Sequence, residues 1–421
     1  MPSRTKLLFV TEVFPYPLDR GQHVRVFNLL AACADACDVT FIAPEPPADI
    51  ERAPVERHCH RIIYVGTTPV GGLARVSSLI QTLRFAPGLR TPATIRRLMP
   101  FTSALRSLGG ETFDLVWAER PQMACLTTPL RVRTILDFDD IEHVKLARQT
   151  TLQRNPLARL HGAYRYAVHR HIELTWSRKC LASIVCSEGD RAYLADHGCR
   201  NAVVIPNAPN QRSFVQTSRP PADPGGPLRI AFLGHVLAAP NADAIRFFAD
   251  EVLPALRAHV PDAVLDVIGP GSTPELAESY ASRVRFLGFV SDLEAAFADY
   301  DMLVVPLRFG SGTKLKILDA MALRLPIVTT SIGAEGLGVE HDHHALIAET
   351  VPEIVDAILR LKRDPALSRR LTANANALVS ERFSWDAIRN SLATWISELA
   401  ERRPSGAPPR TTPLQAALPT R

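Results

Sequence analysis

YDMLVVPLRFGSGTKLKILDAMALRLPIVTTSIGAEGL, residues 300–337, contains a complete unit of fold. Met302 to Val305 is a continuous apolar run ending at Pro306. Gly310, Ser311, Gly312 and Thr313 make a turn of small residues, a helical pattern occupies 314–323, and Ile327 to Thr329 is a second apolar run. Continuous rather than alternating hydrophobicity suits parallel strands covered on both faces, and two such strands joined by a helix are the repeating unit of a doubly wound sheet. The pattern extends toward the amino terminus through strands at Ile230 to Leu233, Val264 to Ile268 and Val284 to Leu287. Helices are expected near 241–258, 291–298 and 352–362. It pauses at NAPNQRSFVQTSRPPADPGGPLR, 207–229, whose Pro, Gly and polar content is that of a linker. Before this lies a first set of strands at Leu7 to Val10, Val39 to Ile42, Ile62 to Val65, Leu115 to Trp117, Thr134 to Leu136, Ile184 to Cys186 and Val203 to Ile205, with a helical pattern over 24–33. The fold class is α/β, with two Rossmann-like, doubly wound parallel-sheet domains facing one cleft. The expected boundaries are 1–206, a linker over 207–228, a second domain over 229–380, an amphipathic helix over 381–402, and a Pro/Thr/Ala-rich tail over 403–421 that is expected to be disordered.

The 421 residues suit two cores, and 46% hydrophobic with 22% charged residues excludes global disorder. The net charge of +5 is uneven: 27 Lys/Arg against 19 Asp/Glu in 1–215 (+8), and 21 against 24 in 216–421 (−3). Much of the excess lies in 57–110, where Arg57, Arg61, Arg75, Arg84, Arg90, Arg96, Arg97 and Arg106 stand without one acid. Apolar residues between them give basic amphipathic helices, and each arginine near an anionic leaflet is worth about 1 kcal/mol. An anionic membrane surface is the expected partner of 57–110, and nucleic acid is not. The seven cysteines show no CxxC pair or metal spacing, as expected of buried free thiols in a reducing compartment. No run approaches the ~20 apolar residues of a spanning helix, and the four-residue apolar run before Thr11 and Glu12 is too short for a signal core. The expected location is the cytoplasm or the inner face of its membrane.

Ligands of open α/β sheets bind beyond the carboxyl ends of the strands. After the first strand, Gly21 precedes a helix, with Arg20 and Arg25 beside it, an arrangement that suits an anion or an ordinary turn. No GxGxxG is present there, which argues against NAD. The strand Thr134 to Leu136 runs into Asp137, Asp139, Asp140, Glu142 and His143, a set readable as Mg²⁺ ligands or as the acidic first turn of a helix. In 300–337, the amides of Gly312 and Thr313 with Lys314 and Lys316 suit a diphosphate, and Asp319 can accept hydrogen bonds from sugar hydroxyls. The alternative is a plain Gly/Ser loop with a solvated face. The coincidence of loop, lysines and carboxylate at one strand end favours the site.

RIAFLGHVLAAPNADAIRFF, LDVIGPG, VRFLGFVSDLEAAFADYDMLVVPLRFGSGTKLKILDAMALRLPIVTT and the late FSW together resemble the nucleotide-sugar-binding half of glycosyltransferase family 4, retaining enzymes of GT-B architecture. PYPLDRGQHVRVFNLL, SEGDRAYL and VIPNAPN are similar to parts of bacterial exopolysaccharide and exosortase-associated sugar transferases. The resemblance implies a nucleotide-sugar donor held by the second domain and a lipid-linked or polysaccharide acceptor held by the first. Transfer would proceed with retention of configuration, without cofactor or metal. The family's two glutamates, with seven residues between them, fall at Ser311 and Asp319 here, so both are altered. Gly312, Thr313 and Lys314 fall at the distal phosphate, with Gly21, Arg25 and Lys316 as further diphosphate contacts. Phe289 and Val290 fall at the base, Asp319 at the ribose, and Asp139 near the family's first-domain histidine. The family's Arg/Lys pair is replaced by His235 and Asn241. The implied catalytic set is Asp139, Ser311 and Asp319. A nucleotide-sugar epimerase and a non-catalytic binding subunit are the competing readings.

Overall fold

The computed structural model describes residues 4–66, 92–209 and 226–401. Residues 67–91 of the acid-free arginine segment, most of the linker and the tail lie outside the described residues. The chain divides into two units, Met1–Pro206 with Asp386–Arg421, and Asn207–Trp385.

The first unit holds a seven-stranded parallel sheet of β1 (Thr5–Val10), β2 (Cys37–Pro44), β3 (Arg61–Val65), β4 (Leu115–Glu119), β5 (Thr134–Asp137), β6 (Ala182–Val185) and β7 (Ala202–Val204), in the order 3-2-1-4-5-6-7. Leu7 pairs with Val39 on one side and Leu115 on the other. The middle strands are buried on both faces, which is why they read as unbroken apolar runs. Phe9 stacks on Trp117 with ring centroids 5.7 Å apart, and meets Phe41 edge-on at the same distance. Such aromatics contribute about 1.5–3 kcal/mol each by burial. The SEGD motif starts a helix: Ser187 Oγ accepts from the Asp190 amide at 3.1 Å, satisfying a donor that the helix itself leaves unpaired. The Trp385–Glu401 helix joins this unit from Asp386 onward. Arg389 pairs with Asp35 at 2.6 Å, and Arg133 donates to the Leu399 carbonyl at 2.8 Å.

The second unit holds six parallel strands, β8 (Arg229–Leu233), β9 (Val264–Ile268), β10 (Val284–Gly288), β11 (Met302–Val305), β12 (Ile327–Thr329) and β13 (Leu346–Ile347), in the order 10-9-8-11-12-13. β13 has only two residues, too few to show a pattern, and was not expected. The helix expected over 241–258 is instead Ala239–Phe247, a π-helical turn Phe248–Val252 and Leu253–Arg257. A capping box of Thr350 and Glu353 starts Val351–Arg363. Trp385 Nε1 donates to the Ala208 carbonyl at 2.9 Å within this unit. The seven cysteines are unpaired and six are buried. Among the described residues, no helix is long and apolar enough to cross a membrane.

Candidate functional site

In the second sheet the strand order reverses between β8 and β11. Connections leave that point to opposite faces, which opens a crevice beyond the strands' carboxyl ends. Gly234 follows β8 at φ 152°, and a Cβ there would lie 2.7 Å from both Asn241 Nδ2 and Lys316 Nζ. Glycine is what lets those side chains close over the turn. Lys316 donates to Asn241 Oδ1 at 2.7 Å and stands 4.2 Å from the centre of the Phe232 ring. Asn241 in turn donates to the His235 carbonyl at 2.9 Å. Burial, helped by the charge of Lys314, pushes the Lys316 ammonium down to about 7. This lysine therefore carries less than a full charge near neutral pH.

The Gly310–Thr313 loop leads into the Leu315–Ala322 helix, whose first amides have no partner within the helix. Thr313 Oγ1 accepts from Asn207 Nδ2 at 3.0 Å, both buried, which fixes the loop. Lys314, expected to reach a phosphate, turns back and donates to the carbonyls of Ser311, at 3.0 Å, and Gly312. Ser311 is 6% exposed and, among the described residues, its Oγ has no hydrogen-bond partner. Such a group costs about 1–3 kcal/mol until something pairs with it. Asp319 is half-buried on the same helix, and Phe289 is 52% exposed just after β10 with Val290 half-buried beside it. Arg308, also beyond β11, is tied to Asp243 at 2.7 Å and stacked over Phe247. The roles of Asn207 and Asn241 were not assigned from the sequence. Their partners lie 106 and 75 residues away, and no local pattern links them.

The first sheet reverses between β1 and β4. There Glu119, fully buried, accepts from Thr11 Oγ1 at 3.1 Å, Gln22 Nε2 at 2.8 Å and Arg120 Nε at 3.0 Å. Arg120 holds φ 71°, a left-handed conformation unusual for arginine. Glu12 is 9% exposed at its side chain, with Oε2 3.3 Å from Arg97 and Oε1 buried without a partner among the described residues. Burial raises its carboxyl above the usual range, against the pull of Arg97. Gln122 Oε1 is likewise buried and unpartnered.

Arg25 corrects the sequence reading. It is fully buried, its guanidinium 2.6 Å from Asp137 and bonded to the Ile205 carbonyl at 3.1 Å. Burial opposes its charge, yet Asp137 keeps its pKa above the ordinary value. The charge expected to meet a phosphate is neutralised in the interior. Gly21 starts the Gly21–Ala36 helix and is exposed. The acidic run after β5 disperses: Asp137 faces Arg25 and Glu142 pairs with Lys145. Asp139 is different, with burial and the charge of Asp140 pushing it up to about 7, while Arg25 and Arg120, the latter 3.8 Å away, oppose. His143 is buried, its Nδ1 donating to Glu173 and its Nε2 accepting from Tyr193 at 2.8 Å. Glu173 also accepts the amides of Glu142 and His143, so this chain of groups holds the start of the Glu142–Thr151 helix. Among the described residues, Glu340, His343 and His344 bring metal-type ligand atoms within 4.8 Å of one another, but His344 Nδ1 already accepts from the Glu340 amide.

Residues 227–364 match the family model described as glycosyl transferases group 1. A phosphatidyl-myo-inositol mannosyltransferase of Mycolicibacterium smegmatis is 25% identical over 229 residues, 53% of this chain and 58% of that protein. The chain spans 33% to 58% of the length of the first curated relatives it matches. A sucrose-phosphate synthase of Thermosynechococcus elongatus superposes with a TM-score of 0.69 at 20% identity, over 94% of this chain and 99% of that one. Anabaena HepE in complex with UDP-glucose superposes at 0.65 with 16% identity, over 93% and 99%. The fold is that of the GT-B glycosyltransferases, and residues 227–364 of the second unit carry the match to the group 1 glycosyl transferase model.

Proposed function

We propose that this protein is a glycosyltransferase of family 4 that moves a hexose from a nucleotide-sugar to a lipid-linked or polysaccharide acceptor in exopolysaccharide or cell-envelope glycan synthesis. The observation that carries the reading is the β8/β11 strand end, where the small-residue loop, the Leu315–Ala322 amides, Lys316 and the unpartnered Ser311 Oγ collect. The family match over the same residues and the UDP-glucose complex of a neighbour of the same fold support a nucleotide-sugar as donor. In this reading the diphosphate lies against the loop amides, and Lys316, with its pKa near neutrality, gains its full charge as the anion arrives. Lys314 leaves the carbonyls it now holds and joins the phosphate. Asp319 accepts from the ribose, Ser311 from a sugar hydroxyl, and main-chain groups at Phe289 and Val290 meet the base.

Transfer with retention asks the enzyme chiefly to stabilise the departing diphosphate, because the transition state resembles an oxocarbenium ion. Pre-oriented amides and lysines supply that stabilisation, and no metal is needed. Asp139 is the carboxylate that the first unit contributes, orienting a hydroxyl or steadying positive charge at the anomeric carbon. The acceptor belongs to the first unit, at the inner face of the membrane, with 57–110 as an anionic-surface contact. Calorimetry of the full chain with UDP, GDP and their sugars tests the donor site directly. Binding of one nucleotide, lost in Lys316→Met, is expected. No binding by any nucleotide, or binding indifferent to that substitution, overturns the reading.

A further inference from the structure

A second feature of the first unit is independent of donor chemistry. The Glu142–Thr151 and Pro156–Lys179 helices form a hairpin. They are packed so closely that a Cβ on Gly162 would lie 2.3 Å from Thr150 Oγ1. Its base is fixed by Glu173, which accepts the first amides of the shorter helix and grips His143. Asn155 caps the longer helix through the Leu157 amide at 2.8 Å.

The outer face of this rigid hairpin is apolar. Leu157 is 77% exposed, Leu160 70% and Tyr164 64%, with Leu152 in the connecting turn at 41%. At about 100° per residue, positions 157, 160 and 164 fall within about 60° of one another, and Gly162 and Tyr166 lie on the opposite side. The exposure is therefore a stripe rather than scattered single residues, and it faces away from the helix's own packing partner. Stripes of this kind on a soluble surface mark a contact.

The charge around the stripe selects the contact. Between Glu142 and Glu173 there is no acid, and Lys145, Arg148, Arg154, Arg159, Arg165 and Arg170 carry six positive charges. Arg154, Arg159 and Arg165 are exposed beside the leucines. We infer that the tip of this hairpin docks on an anionic lipid bilayer, the leucines and Tyr164 entering the headgroup boundary and the arginines meeting the phosphates. The face is built from residues 152–164, apart in sequence from 57–110.

Co-sedimentation of the full chain with phosphatidylglycerol-rich vesicles, against pure phosphatidylcholine, tests this without donor or turnover, so its failure leaves the transferase reading standing. The chain is expected to bind the anionic vesicles. L157S/L160S/Y164S, folded by circular dichroism because these side chains are exposed, is expected to weaken binding by roughly tenfold or more. Arg154→Ser with Arg159→Ser and Arg165→Ser should weaken it and flatten its salt dependence. Equal binding by the parent and the three-serine variant defeats the proposal. So does binding lost only on Arg75→Ser/Arg84→Ser. Self-association that depends on the leucines, with no vesicle binding, assigns the stripe to a second copy and overturns it as well.

Discussion

At the reversal of the first sheet, Thr11, Gln22, Glu119 and Arg120 satisfy one another, and behind them Arg25 and Asp137 do the same. At the reversal of the second sheet, Gly234, Asn241, Lys316 and the Gly310–Thr313 loop present amides, a lysine near its titration point and a hydroxyl without a partner. The same topological position has thus been filled in two ways. In the first unit charge is mostly paired internally, and among the described residues the buried side-chain atoms left without a partner there are oxygens of Glu12, Gln122 and Asn201 and the indole nitrogen of Trp117. In the second, the groups are donors suited to an anion. Topology locates a crevice, and side-chain pairing decides which ligand it suits.

The sharpest way to break this contrast is Arg25→Met. If Arg25 is structural, stability to urea falls by about 3–5 kcal/mol, because Asp137 is left as an unpaired buried charge, and nucleotide affinity per folded molecule is unchanged. Lost affinity with stability intact would return Arg25 to the phosphate site. Asp139→Asn is next: turnover is expected to fall about a hundredfold with donor affinity preserved, and parent activity to rise with pH through about 7 as the carboxylate forms. A variant with full turnover would remove Asp139 from the chemistry. Gly234→Ala, which forces a methyl against Lys316 and Asn241, should weaken UDP binding by about tenfold in calorimetry, a change of about 1.4 kcal/mol.

The smallest effect separates the two units by pH. Lys316 is charged below about 7 and neutral above it, so UDP affinity should decline a few-fold across that pH, and Lys316→Arg should abolish the decline. Its folded-state pKa lies below the unfolded value. Between those two pKa values the unfolded chain binds the extra proton, and the stability contribution rises with pH. A UDP affinity that is flat with pH in the parent would show that the lysine stays charged.

Strands were legible because parallel strands buried on both faces need apolar runs, which β8, β11 and β12 show; β9 and β10 keep the pattern around Asp266 and Arg285, which pair with each other at 2.6 Å. The π-helical turn at Phe248–Val252 was not, since one extra residue per turn leaves the apolar spacing looking helical. Loop residues 310–314 were legible from glycine and lysine content. Arg25 was misread because a cation next to a helix start looks the same whether or not an aspartate 112 residues later neutralises it. The hairpin stripe is not legible in the sequence for a related reason: Leu157, Leu160 and Tyr164 have ordinary core spacing, and only the fold shows that they are exposed.

The Trp385–Glu401 helix has a consequence in time. Leu392, Trp395 and Ile396 are almost wholly buried, and the helix is grouped with residues made before Asn207. A ribosome adding about 5–20 residues per second must produce the whole of Asn207–Trp385 first, a delay of roughly ten to forty seconds. Through that interval the first unit waits with an apolar seat uncovered. Its completion therefore depends on synthesis running through the second unit, and a stalled or truncated chain would present that seat to chaperones and proteases.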